Sequence, residues 1–201
     1  TLGYRAPVSN RGRYHKIEVK LKERHRDWEV RHREGYRDKT ADTRTQDGIR
    51  AFLVHGYETN PLGITLDLGR QSPAGEGNIA VPVKVQVPMG NVTLLPRGGL
   101  YEGRLRLYFG ATDREGREAP LQELPLELRI PESSIELARQ DVVARVINAT
   151  MRPGVQKLVV AVRDEISEDC SVVGRVLAVG DPQQIEEGED PLPSALDNIL
   201  Q

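Results

Sequence analysis

The chain has 201 residues, 38% of them hydrophobic and 4% aromatic, with a net charge of −2. That length can bury a core without a staple, and the scarcity of aromatics leaves Val, Leu and Ile to build it, which favours strands over helices. The near-neutral balance excludes a protein drawn to nucleic acid by its global field, and the single cysteine, Cys170, excludes an intrachain disulfide or a cysteine-rich zinc site.

Basic residues crowd the start, from Arg5 to Lys39, and acidic ones the end, at Glu186, Glu187, Glu189 and Asp190. Solvated surfaces explain both. No apolar run approaches the roughly 20 residues of a membrane span. No signal peptide precedes Thr1, and translation does not begin Thr-Leu-Gly-Tyr, so the chain is expected to be a segment of a longer protein.

In chain order, Leu2 to Ala6 reads as a strand. Ile17, Val19 and Leu21 alternate with charges over His15 to Lys22, as do Trp28, Val30 and His32 after a polar turn, which predicts an antiparallel hairpin. The apolar cluster from Asp47 to Val54 predicts one short helix, stopped by Gly56 and Asn60-Pro61. Ile64, Leu66 and Leu68, then Val81, Val83, Val85 and Val87, have period two. Pro82 within the valine ladder predicts an edge strand or a bulge, because proline cannot donate to a central ladder.

Strand character continues from Val92 to Leu95, Pro96 to Gly99 turns the chain, and Asp113-Arg-Glu-Gly116 predicts a hairpin joining the Leu105–Phe109 and Leu124–Ile130 alternations. Residues 133–150 suit helix or strand, and a strand over Val142 to Ala149 is preferred because Arg152-Pro-Gly154 follows as a turn. Leu158 to Val162 and Val172 to Val179 complete the set. The expected fold is mostly β, an antiparallel sandwich of the immunoglobulin or fibronectin type III kind with an N-terminal hairpin or meander. The expected divisions are a basic meander at 1–40, helix and linker at 41–60, the sandwich at 61–180 and an acidic, proline-containing tail at 181–201.

Chemistry-bearing motifs are sparse. His15, His25, His32 and His55 lack metal-ligand spacing, and Gly-x-Ser-x-Gly is absent. Gly75-Glu-Gly77-Asn-Ile-Ala80 leads into the valine ladder, not a helix, so it reads as a turn and not a dinucleotide loop. Cys170 lies among acids that disfavour a thiolate. No catalytic residue and no cofactor is expected. Asp164, Glu165, Glu168 and Asp169 are calcium candidates without the Gly-centred spacing of a dedicated loop. The sequons at Asn91 and Asn148 adjoin predicted strands and are read as chance matches.

Three segments carry a resemblance: Thr1-Leu-Gly-Tyr4, His15-Lys-Ile-Glu-Val19 and Val30-Arg-His-Arg-Glu-Gly-Tyr36. Together they resemble the region after the A domain in bacterial von Willebrand factor A-related proteins. The resemblance covers about the first forty residues and implies an upstream A domain, export to the periplasm or cell surface, and work through protein contacts. The A domain's Asp-x-Ser-x-Ser cation motif does not occur in this chain. The expected function is therefore a non-enzymatic accessory module with a protein partner, no nucleic acid and no membrane span. Trp28, Arg31, Arg33 and Tyr36 are its candidate binding surface. A carbohydrate- or polymer-binding module is the alternative, with Trp28, Tyr36, Tyr57, Tyr101 and Tyr108 as stacking platforms.

Overall fold

The computed structural model describes residues 12–20 and 30–180, so the expected strand at Leu2 to Ala6, Trp28 and the acidic tail lie outside the described residues. The chain divides into two units, 1–47 and 48–201. In the first, β1 (Tyr14–Lys16) pairs antiparallel with β2 (Gly35–Arg37), His15 facing Tyr36. The expected hairpin thus closes farther along the chain than the alternation suggested. Val30 to Arg33 form no strand and are exposed, so the alternation there has no buried face to serve. Gly35 is needed because a Cβ would overlap the Tyr14 ring.

Helix α1 spans Ala41–His55, longer than the short helix read from its apolar cluster. It starts early because Thr40 Oγ1 accepts the Thr43 N–H at 3.1 Å, a helix N-cap bond that offsets the polar composition of the first turns. It stops at Gly56, whose φ of 72° suits the left-handed cap and whose N–H donates to Phe52 O at 2.8 Å.

In the second unit two antiparallel sheets face each other. One contains β3 (Thr65–Leu68), β4 (Ser72–Gly75), β5 (Asn78–Pro88) and β9 (Val142–Met151). The other contains β6 (Leu95–Arg97), β7 (Leu100–Asp113), β8 (Gln122–Pro131), β10 (Gly154–Asp164) and β11 (Cys170–Val179). Val92 to Leu94 are not strand, because a 3-10 turn at Met89–Asn91 redirects the chain before β6. A second helix, α2 (Ile135–Ala138), precedes β9, so residues 133–150 contain both helix and the expected strand. The β7–β8 hairpin forms as read, with Leu105 opposite Leu126 and Leu107 opposite Leu124. The glycine pair at 75 and 77 makes the β4–β5 turn.

Period-two side chains fill the space between the sheets. Val81, Val83, Val85 and Val87 from β5 are at most 2% exposed and meet Leu105, Leu107, Leu158, Val160 and Val162 in one cluster. Burying each such side chain contributes about 1.5–3 kcal/mol relative to leaving it in water.

Pro82 is not at an edge. Strand β5 is central, with β9 along one side and β3 and β4 in succession along the other. The Pro82 carbonyl accepts the Gly69 N–H at 2.7 Å, so its nitrogen points to that same side, into the break between the end of β3 and the start of β4. The missing donor therefore costs no ladder bond.

The outer face of the second sheet is covered by the latter half of α1. Ile49 and Phe52 pack with Tyr108, Val159, Ala161 and Val172. Lys157 Nζ donates to the Leu53 carbonyl at 2.7 Å, satisfying one orphan acceptor of the helix end. Gly174 permits this approach, since a Cβ there would overlap both the Phe52 ring and the Leu158 carbonyl oxygen.

Gly174→Ala is expected to lower stability by about 1–3 kcal/mol through overpacking, and Phe52→Ala by about 3–5 kcal/mol through the cavity it leaves. Because the Leu158 oxygen belongs to the backbone, adding Gly174→Ala to Phe52→Ala should destabilise further in urea titrations. A double variant as stable as Phe52→Ala alone would show that the ring is the only obstacle.

Candidate functional site

Each strand residue points its N–H and C=O to one side, alternately. This decides which edges of the sandwich are open. The free edge of β11 is occupied by the chain that follows α1. Thr59 and Val172 exchange backbone bonds at 3.0 and 2.6 Å. Glu58 accepts the Gly174 N–H at 3.0 Å. Gln71 donates to the Ala178 carbonyl and accepts the Gly180 N–H, each at 2.9 Å.

Across the sandwich, among the described residues, β8 pairs only with β7 and β9 only with β5. The two edges differ in kind. Glu132 N–H donates to Gly99 O at 3.1 Å, so even-numbered residues of β8 face β7 and odd-numbered ones face outward. Pro125 and Pro131 fall on the outward rank, where they delete donors and blunt the edge.

In β9 the Met89 N–H donates to Asp141 O at 3.0 Å, which sets odd-numbered residues toward β5. Val142, Ala144, Val146, Asn148 and Thr150 therefore present their backbone outward. Asp141 Oδ1 takes the Val142 N–H at 2.8 Å. Among the described residues no strand pairs with the rest. This outward rank is uncharged, lacks proline, and leaves Val142 45% and Val146 58% exposed. It can form a ladder with another extended chain.

Trp28 lies outside the described residues. Arg31 and Arg33 are exposed, while Tyr36 is half-buried and stacked on His15 at 4.8 Å. His15 Nε2 lies 2.8 Å from Asp38 Oδ2. Of the other ring candidates, Tyr108 is buried under α1, Tyr101 packs partly buried against the core, and Tyr57 is 69% exposed beside His55.

The acidic residues 164–169 form the turn between β10 and β11. Asp164 is fully buried: Oδ1 accepts the N–H groups of Ile166 and Ser167 at 2.8 and 3.2 Å, and Oδ2 accepts that of Thr93 at 2.7 Å. Glu165 turns to Arg106, whose Nε donates at 2.7 Å, and that bond holds the guanidinium more firmly protonated. Glu168 sits at φ 64°, its N–H bonded to the Asp164 carbonyl at 2.9 Å. The turn geometry thus employs Asp164 as a backbone acceptor. Among the described residues no three His, Cys, Asp or Glu side chains are grouped to hold a metal ion.

Asp113 has a comparable role that its turn motif did not announce. Its carboxylate accepts the Glu115 and Arg117 N–H groups at 3.1 and 2.9 Å and the Arg117 Nε at 2.6 Å. Desolvation pushes its pKa up, but the Arg117 bonds and charge outweigh it and hold the carboxyl below its ordinary 3.8. A groove of about 430 Å³ between β6 and β8 is lined by Arg97, Arg104, Glu102, Glu127 and Arg129. Arg97 pairs with Glu102 at 3.4 Å and Arg129 with Glu127 at 3.3 Å.

Asp164→Ala should cost about 3 kcal/mol, because buried N–H groups lose a charged acceptor. Millimolar calcium should leave the melting temperature unchanged; a calcium-dependent rise would mean that these carboxylates are available to a cation. A carboxyl with a depressed pKa contributes stability that is present above its unfolded value and lost as pH falls through its folded value. Asp113→Asn should therefore be less stable than the parent at neutral pH, with the difference shrinking below about pH 4 in acid titrations. A constant difference down to about pH 2 would argue against Asp113 as the source.

No protein-family model matches this chain, and no curated protein matches it. Among solved structures it is similar to a chain assigned as a β-galactosidase from Bacteroides fragilis, at 14% identity and a TM-score of 0.39 over 58% of this chain and 16% of that one. It is also similar to a calcium-binding mutant of Bacteroides uniformis β-glucuronidase 2, at 11% identity and 0.38 over 58% and 13%. Bacteroides uniformis β-glucuronidase follows at 12% identity and 0.36 over 58% and 13%. This chain spans 13–16% of those solved chains, and their names describe them.

Proposed function

We propose that this chain is a non-catalytic accessory module that holds a protein partner by strand addition at β9, within an exported von Willebrand factor A-related protein. One observation carries the contact reading. Among the described residues the ten-residue strand β9 pairs on one side alone, while the edge of β11 is bonded by Glu58, Thr59 and Gln71. Added strands gain affinity from main-chain bonds and specificity from alternate side chains, and β9 offers both through its outward amides and the exposed Val142 and Val146. The family context and export rest on the Leu-Gly-Tyr, His-Lys-Ile-Glu-Val and Arg-Glu-Gly-Tyr segments. In that setting the module positions the A domain upstream of Thr1 and supplies the contact surface behind it.

A photoreactive amino acid at Val146 should cross-link a discrete protein in the native host, whereas the same probe at exposed Asp67 on β3 should not. Equal adducts at both positions, or none at Val146, would sink the edge reading. The upstream reading frame tests the context independently: an A domain behind an export signal is expected, and a cytosolic enzyme domain there would overturn it.

A further inference from the structure

We infer that the partner seated on the β9 edge is a second copy of this chain, joined antiparallel across a two-fold axis at Val146. This rests on the reading of β9 as a docking edge. A two-fold contact must be self-complementary: residue i meets residue j on both copies. A charge at the axis meets its own copy, and a charge elsewhere needs a complementary residue at the mirrored position.

The outward rank of β9 carries no charge. With the axis at Val146, Val146 opposes Val146, Ala144 opposes Asn148, and Val142 opposes Thr150. Every outward-facing residue of the strand then faces another whose backbone also points outward, the arrangement that forms ladder bonds, with the Val142 N–H alone already held by Asp141 Oδ1. The half-exposed Val146 meets its β-branched equal, a pairing that stabilises sheets.

Arg145 selects among registers. It is the one charged residue of β9 and stands opposite Val85 on the side of the sheet that faces the core. Moving the axis to Arg145 would set two guanidinium groups directly against each other, which is destabilising. With the axis at Val146, Arg145 opposes Ile147. Moving it to Ile147 would leave the Val142 carbonyl facing Arg152, beyond the end of the strand, and would place Val146 against Asn148. Of these three registers, the one centred on Val146 avoids each of these losses. Strand β8 takes no part in the ladder, since Pro125 and Pro131 interrupt its outward donors.

The 201-residue chain should sediment with a mass near twice 22.4 kDa, giving way to monomer on dilution. In a Cys170→Ser background, Val146→Cys should oxidise to an interchain disulfide, since directly opposed strand residues lie within disulfide reach. Ala144→Pro removes an outward N–H without touching the ladder to β5, and Val146→Lys sets like charges face to face. Each acts twice across the axis and should raise the dissociation constant at least about tenfold, with the far-UV circular dichroism retained and the melting temperature that of the parent diluted to monomer.

A monomer at all concentrations, a dimer indifferent to both variants, or a Val146→Cys thiol that stays reduced under oxidising conditions overturns the proposal. If the chain is monomeric yet a probe at Val146 captures a different protein, self-pairing fails and the edge reading stands. If it is monomeric and the probe captures nothing, both fail.

Discussion

Strand β10 has no polar face over its central stretch. Leu158, Val159, Val160, Ala161 and Val162 are all fully buried, so both sides of this strand must be covered. The even-numbered residues meet the valine ladder of β5, and Val159 and Ala161 meet Ile49 and Phe52 of α1. A sheet solvated on one face would need only the first cover. The second fixes Gly48 beside Val172 and Gly174 beneath Phe52, and it brings Lys157 to the helix end. The sandwich of the second unit is thus three layers deep where β10 runs, and the rest of that unit is arranged around this strand.

Covering β10 also settles how one flank of the sandwich is closed. The chain leaving α1 at Gly56 runs along β11 before it enters β3, and on the way Glu58 and Thr59 bond to the edge of β11; Gln71, between β3 and β4, bonds farther along the same edge. No comparable segment among the described residues runs along the other flank. There the chain passes from β8 through α2 to β9, moving between the two sheets without adding a strand to either. Closure of the β11 edge, and the lack of a like cover on β9 among the described residues, follow from the route the chain takes to cover β10.

Much of this was legible in the sequence where the physics is local. The valine ladder, the Asp113 hairpin and the Gly75-Glu-Gly77 turn each depend on period two or on backbone freedom at adjacent residues. What escaped depends on neighbours distant in sequence. The run from Leu158 to Val162 does signal a strand buried on both faces, but its cover is a helix more than one hundred residues away, disguised by the polar turns after Thr40. Pro82 suggests an edge strand or a bulge when the ladder is taken as continuous; the break between β3 and β4 is a tertiary fact. Asp164 was read as a possible ligand because its bonds to Thr93, Ile166 and Ser167 cannot be inferred from an acidic cluster.

The two open edges show how the same hazard can be managed oppositely. Unpaired strands invite association, and β8 carries the usual deterrents: prolines on its outward rank and Glu123, Glu127 and Arg129 among them. If the chain were selected only to stay monomeric, β9 would be expected to carry the same. Instead its outward rank is free of charge and proline, and the single arginine stands on the alternate, core-facing rank. An inward charge does not abolish pairing. It penalises those registers that oppose it to itself and leaves others free, which is how an edge is made selective. Blunting β8 while leaving β9 free of charge and proline favours association at β9, and in one register, over association at its neighbour.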